Sequence, residues 1–251
     1  MNPATYTPDP DLHHVQVLLL QARTSAQMER QEQTCFLERT RLRPDQLTAR
    51  SVLRDPLPRE LLADVDAVFI GGAGEYSAKD DHPWIGTLID FIHSIADRTI
   101  PLFGSCWGHQ VMARAFGGRV IHDADYAELG CRPVSLTEAG QQDPLFGTLP
   151  ESFHVNMGHH DRVVELPDNA VSLAANEQPN QAFRMKALPF YGTQFHSELD
   201  AKRERERLIE YREYYRADMP DEKEFQEVLD NLRDTPEVDD LLHRFLHEYA
   251  A

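Results

Sequence analysis

Ile100-Pro101-Leu102-Phe103-Gly104-Ser105-Cys106-Trp107-Gly108-His109-Gln110 is the stretch that decides how this chain folds. Its first four residues form a short apolar run with the length of a buried parallel strand. Beyond it, Val111-Met112-Ala113-Arg114-Ala115-Phe116 continues a helix that Gly117-Gly118 stop. Cys106 therefore sits on a strand-to-helix turn, with Gly104 and Gly108 two residues to either side. Such a turn needs small neighbours, lifts its central side chain clear of the backbone and sets a thiol near a helix N-terminus, where the thiolate is favoured. Cys106 is thus a candidate nucleophile, the competing reading being a buried structural cysteine.

Strand and helix signals alternate on the N-terminal side of this turn. His14 to Leu20 reads as a buried strand and Ser25 to Arg41 as a helix, followed by a strand near Leu47 to Leu53 and a turn or helix near Pro58 to Ala63. Asp66-Ala67-Val68-Phe69-Ile70 is a compact strand that runs straight into Gly71-Gly72-Ala73-Gly74, where missing side chains permit close backbone approach. Between Pro83 and Asp97, apolar residues recur at helical spacing, with the proline expected in the first turn.

On the C-terminal side, shorter strands are expected at Arg119 to Ile121, Pro133 to Leu136, Ser152 to Val155, Ala170 to Ala174 and Phe190 to Phe195. The pattern predicts an α/β fold: an open, mostly parallel, flavodoxin-like sheet flanked by helices, with extra antiparallel strands. Ligands of such sheets bind at the carboxyl ends of the strands. Residues 1–12 read as a disordered or loosely docked tail, 13–199 as the sheet domain and 200–251 as an acidic helical extension packed on that domain or on a partner.

A nucleophilic thiol needs a base, and the base an orienting group. His196 and Glu198 follow the last predicted strand two residues apart, so on an extended chain their side chains project to the same side. A carboxylate there can fix the imidazole tautomer while the other ring nitrogen takes the thiol proton. The order, histidine before acid, is the reverse of the α/β-hydrolase order.

Gly104-Ser105-Cys106-Trp107-Gly108-His109-Gln110 together with Gln194-Phe195-His196-Ser197-Glu198 resembles the class I glutamine amidotransferases. Three further segments are similar: Gly71-Gly72 after a strand; Glu128-Leu129-Gly130, like the segment before that family's next strand; and Met157-Gly158-His159-His160-Asp161-Arg162-Val163, like a stretch of guanylate synthetase amidotransferase domains. The resemblance implies Cys106, His196 and Glu198 as catalytic residues and the amides of Gly72 or Ala73 and of Trp107 as an oxyanion hole. It also implies substrate contacts from Gly71, Gln110, Gly158, His159, His160 and Asp161. Ser197 stands where the family more often has proline, and His160 where glycine is commoner, which bears on the substrate that fits.

The implied reaction is hydrolysis of the γ-amide of glutamine, or of a γ-glutamyl compound, through a cysteine thioester that needs no metal or organic cofactor. A metal reading of Gly158-His159-His160-Asp161 is disfavoured, because neighbouring side chains on an extended chain point to opposite faces. No glycine-rich phosphate loop is evident. The chain is therefore either a glutaminase subunit whose ammonia serves a separate synthase or a free-standing hydrolase, a γ-glutamyl peptidase that releases the amine or peptide joined to the γ-glutamyl group; a non-catalytic binding module on the same fold is the third reading.

Forty-two acidic against twenty-five basic side chains give a net charge of −17, which opposes phosphate backbones and anionic membranes, so neither nucleic acid nor a membrane is an expected partner. Three widely spaced cysteines suit a reducing compartment, and no signal peptide or membrane span is seen, which places the expectation in the cytoplasm. Self-association as a homo-oligomer is compatible with the sequence without being required by it.

Overall fold

The computed structural model describes residues 6–217 and 219–251. Its strands are β1 (Val17–Gln21), β2 (Leu47–Ser51), β3 (Ala67–Ile70), β4 (Leu102–Ser105), β5 (Arg119–His122), β6 (Glu128–Leu136), β7 (Ser152–His159), β8 (Asp161–Glu165), β9 (Ala170–Ala175), β10 (Ala182–Met185) and β11 (Phe190–Thr193). The helices are α1 (Ala26–Thr40), α2 (Ile85–Asp97), α3 (Trp107–Ala115), α4 (Glu138–Gln141), α5 (Ala201–Glu210), α6 (Arg212–Tyr215), α7 (Glu222–Asn231) and α8 (Leu241–Tyr249).

Nine strands form one sheet in the order β2-β1-β3-β4-β11-β10-β9-β6-β7. The first five run parallel and the last four pair antiparallel, while β5 and β8 make a separate antiparallel ribbon. This is the open α/β sheet with antiparallel additions that the strand and helix signals predict.

Alternation along the buried strands assigns the two faces. Val17, Leu19, Phe69 and Phe103 join Phe36 of α1 and Phe245 of α8 in one core. Leu18, Leu20, Val68 and Ile70 join Ile92 of α2 and Val111 of α3 in the other. A third cluster packs Leu208, Tyr211 and Tyr215 of α5–α6 and Phe225 and Leu229 of α7 against Met28 and Leu129. The segment after Leu199 is thus packed on the sheet domain, and its last helix covers one sheet face.

Several boundaries differ from the sequence reading. β8 and β10 were not expected, being short and interrupted by charge. Glu128-Leu129-Gly130 lies inside β6 rather than before a strand, because Glu128 accepts from Asn176 (2.5 Å) and Gln181 (2.5 Å) and can therefore be buried. Pro83 precedes Trp84, the N-cap of α2, and so lies outside the first turn.

The expected loose N-terminal tail is fastened from residue 6 onward; residues 1–5 lie outside the described residues. Tyr6 Oη donates to Leu42 O, the Asp9 amide donates to Arg41 O (2.8 Å), and Leu12 is fully buried. Asp9 Oδ2 also meets His243 Nε2 (2.6 Å) and His247 Nε2 (2.9 Å) on α8. No described helix is long and apolar enough to cross a membrane.

Candidate active site

β4 carries the chain into a sharp turn at Cys106, whose φ of 51° and ψ of −102° are strained for a residue with a side chain. The turn is held from both sides: the Cys106 amide donates to Thr193 O of β11 (2.7 Å), and Gln110 N donates to Cys106 O (3.2 Å). The flanking glycines are needed for close approach. A Cβ on Gly108 would lie 2.2 Å from Ile70 O, and one on Gly104 would lie 2.5 Å from the carbonyl carbon of Gly108. Any side chain at either position would push α3 away from the carboxyl ends of β3 and β4.

His196 is fixed just beyond β11 by an isolated antiparallel bridge to Asn156 of β7, its amide donating to Asn156 O (3.1 Å). Its Nδ1 lies 2.7 Å from Glu198 Oε1, and the Cys106 side chain adds to what holds the ring charged. The structure thus brings together the three residues that the sequence reading paired. Cys106 and His196 each retain 5% exposure and Glu198 none. Burial works against charge on His196, yet Glu198, then Glu204, outweigh it and hold the imidazolium well above its ordinary range. Burial likewise favours neutral Glu198, but His196 and then Arg207 pull it well below the usual carboxylate range.

Several side chains that support this trio are absent from the sequence reading. Ser105 Oγ donates to Glu198 Oε2 (2.8 Å), Arg207 Nη1 to Glu198 Oε1 (3.3 Å), and Gln194 Nε2 to Cys106 Sγ (3.7 Å). Buried Glu32 of α1 accepts from Gln21 (2.8 Å) and Arg23 (2.7 Å), and Arg207 Nη2 stands 3.7 Å away. Buried charges persist only when paired, and here Arg23 and Arg207 link Glu32 to Glu198. Ser105 and Gln194 sit beside the two motifs, so alternation along β4 and the segment after β11 was a usable signal. Glu32, Arg23 and Arg207 gave none, since their partners are remote in sequence.

A cleft of ≈ 190 Å³ opens at Cys106, lined among others by Ala73, Trp107, Gln110, Gly158, His160 and Asp161. Of the amides expected to face an oxyanion, that of Gly72 donates to Glu32 Oε1 (3.2 Å) and is not free for a ligand. That leaves Ala73, and Trp107 at the first turn of α3, where main-chain N–H groups lack intrahelical acceptors. Gly71 is turned into the fold, its carbonyl accepting from Gly108 N (3.1 Å).

Gln110 Nε2 donates to Asp161 O (2.7 Å) and Gln194 Oε1 (3.1 Å), so both its amide hydrogens brace the walls. His159 lines the cleft but is buried, with Nδ1 3.0 Å from Asp161 O and Nε2 3.4 Å from Glu128. Asp161 accepts from Ser77 and lies 3.0 Å from His122 Nδ1. The His160 ring stacks between Tyr215 (4.7 Å) and His122 (5.9 Å), forming one aromatic wall. His159 and Asp161 belong to β7 and β8, so residues 158–161 form a corner between strands rather than one extended run.

Comparison with known proteins agrees with this geometry. The family model described as glutamine amidotransferase class-I matches residues 43–213. A chain of the glutamine-hydrolyzing GMP synthase of Pyrococcus abyssi, named as one of its subunits, is 39% identical over 115 residues, 45% of this chain and 59% of that protein, so the chain spans less than two thirds of it. The GMP synthase subunit of the same name from Archaeoglobus fulgidus is 30% identical over 151 residues, 59% of this chain and 74% of that protein. The fold is similar to the crystal structure of a glutamine amidotransferase from Thermotoga maritima, with a TM-score of 0.70 and 21% identity, covering 95% of this chain and 99% of that one. On the extent of the family match, this chain belongs to the class-I glutamine amidotransferase family.

Proposed function

We propose that the chain hydrolyses the side-chain amide of glutamine, or of a γ-glutamyl compound, through a γ-glutamyl thioester on Cys106. The observation that carries the reading is the turn at Cys106, with His196 at its thiol and Glu198 2.7 Å from the far ring nitrogen. The thiolate attacks the amide carbonyl, and the amides of Ala73 and Trp107 stabilise the oxyanion. His196, kept protonated by Glu198, gives its proton to the departing nitrogen. It then takes one from the water that releases glutamate. Gln194, Ser105 and Arg207 hold the reacting groups in place. His159, braced against Glu128 and Asp161, acts as a strut for the cleft, while His160 and Asp161 shape the amino-acid end.

The relatives described above are named as subunits of GMP synthase, which favours an ammonia-accepting synthase on a separate chain. Three free, buried cysteines suit a reducing cytoplasm. The test is glutamate release from L-glutamine and from a γ-glutamyl dipeptide, with Cys106→Ala as control. Release from glutamine, lost in the variant, supports the proposal, and its stimulation by a synthase supports the reading as one part of a two-chain enzyme. Release from the dipeptide alone narrows it to a γ-glutamyl peptidase and removes the ammonia-donor reading. Equal release by the variant removes Cys106 from the chemistry.

A further inference from the structure

Two cavities meet at Cys106. Besides the cleft there is a recess of ≈ 20 Å³, lined by Arg23, His196, Glu204, Arg207, Leu208 and Tyr211. It shares Ala73, Gly74 and Gly158 with the cleft, and these are the lining residues that keep appreciable exposure. The recess therefore opens into the cleft and is walled elsewhere by α5, Tyr211 and the residues under them. His196 lines the recess and is not among the residues lining the cleft.

The polar groups of the recess are not in balance. Arg23 is paired with Glu32 (2.7 Å), and Arg207 with Glu198 (3.3 Å). Glu204, only 1% exposed, has an Oε2 with no hydrogen-bond partner among the described residues, whereas Arg207 Nη2, which makes no hydrogen bond, is ion-paired with Glu32 Oε1 at 3.7 Å. A buried carboxylate oxygen left unmet is unfavourable, and a small polar molecule beside the carboxylate offsets that cost. One water-sized molecule needs roughly 10–15 Å³ of such space and two or more polar partners. The recess supplies the space, is lined by Glu204 and His196, and at ≈ 20 Å³ against ≈ 190 Å³ is much the smaller of the two cavities at Cys106.

We propose that this recess is the leaving-group subsite, with Glu204 the residue that receives the nitrogen. The inference rests on the amide-hydrolysing reading above: the group that protonates the departing nitrogen must face it, and His196 faces the recess. As the tetrahedral adduct collapses, the C–N bond breaks with its electron pair passing to nitrogen. Nitrogen takes the proton of His196 Nε2 and leaves as ammonia, with an N–H donated to the Glu204 carboxylate. Water then occupies the same place, donating one hydrogen to Glu204. Its other proton passes to His196 as the O–C bond forms, and the C–S bond breaks to restore the thiolate. Glu204 lies on α5, outside both sequence motifs, so the C-terminal helices set the size of the group that can leave.

The experiment compares L-glutamine, γ-glutamyl methylamide and γ-glutamylglycine as substrates of the full chain. The expected kcat/KM for the methylamide is about tenfold or more below that for glutamine, because an added methyl crowds the smaller cavity, and that for the dipeptide is lower still. Glu204→Gln, which keeps the shape, is expected to lower kcat on glutamine about tenfold with KM changed less than about twofold. Glu204→Ala should narrow the preference for glutamine over the methylamide. Dipeptide turnover equal to that of glutamine in the wild type, which needs no variant to fold, overturns the assignment. So does an unchanged kcat in Glu204→Gln. Labelling of Cys106 by an electrophilic glutamine analogue keeps the two readings apart: labelling without amide selectivity overturns only the leaving-group assignment, whereas neither labelling nor turnover overturns both.

Discussion

In the proposed mechanism Glu198 acts on substrate only through His196, so its removal should be read in pH as well as in rate. Burial alone would drive His196 neutral, and the Glu198 carboxylate is the largest influence opposing it. Glu198→Gln lets the imidazole pKa fall, so the proton needed by the leaving nitrogen is lost at lower pH. The alkaline limb of the kcat profile should move down, with kcat reduced about a hundredfold or more. Stability carries the matching sign. The raised His196 contributes fully below its unfolded value of 6.5 and loses that contribution as pH rises through its folded value. The lowered Glu198 contributes above 4.5 and loses its part as pH falls through its folded value. Both are complete between pH 4.5 and 6.5, and denaturant melts across that window should show Glu198→Gln most destabilised there. At Gly108 the limit is steric. Gly108→Ala sets a methyl 2.2 Å from Ile70 O, and a loss of about 2 kcal/mol or more by denaturant unfolding is expected, since backbone must move.

At the scale of elements, the parallel half of the sheet was legible because its strands are short, apolar and followed by glycine or a helix signal, as at Ala67–Ile70 before Gly71-Gly72. The site was legible where its residues are neighbours in sequence: Cys106 between its glycines, and His196 two residues before Glu198. Legibility is partial at α5. The extension is expected to pack as helices, but Ala-Lys-Arg-Glu-Arg-Glu-Arg-Leu-Ile-Glu does not announce that Glu204 and Arg207 turn inward with Leu208, all three buried at helical spacing. The burial of Arg207 depends on Glu198 and Glu32, partners that no local pattern announces. The first 3-10 turn, Pro10–Leu12, eluded the reading for the same reason, since what fixes it is α8. That helix is a structural member of the fold. Phe245 packs against Phe69 (5.9 Å), Phe103 (5.4 Å) and Tyr191 (6.0 Å) and has no exposure. Phe245→Ala should cost about 3–5 kcal/mol, measurable as a lowered denaturation midpoint at unchanged m-value.

On the whole-molecule scale, the C-terminal helices packed on the nine-stranded sheet do two jobs. α8 completes a core beneath the parallel strands, and α5–α6 place Arg207, Tyr211 and Tyr215 over the turn at Cys106. The net charge of −17 is compatible with this arrangement because two buried carboxylates at the site, Glu32 and Glu198, are matched by Arg23 and Arg207, which leaves Glu204 as the buried acid of the recess without an arginine of its own among the described residues. The step on which the proposed function turns is a thioester made and broken at Cys106. The most direct measurement is the intact mass of the protein after rapid mixing with L-glutamine and an acid quench. The account predicts a transient increment of one γ-glutamyl group on Cys106 that decays as glutamate appears and is absent from Cys106→Ala. Steady glutamate production with the mass unchanged at every time point, or an increment that persists in Cys106→Ala, would contradict it.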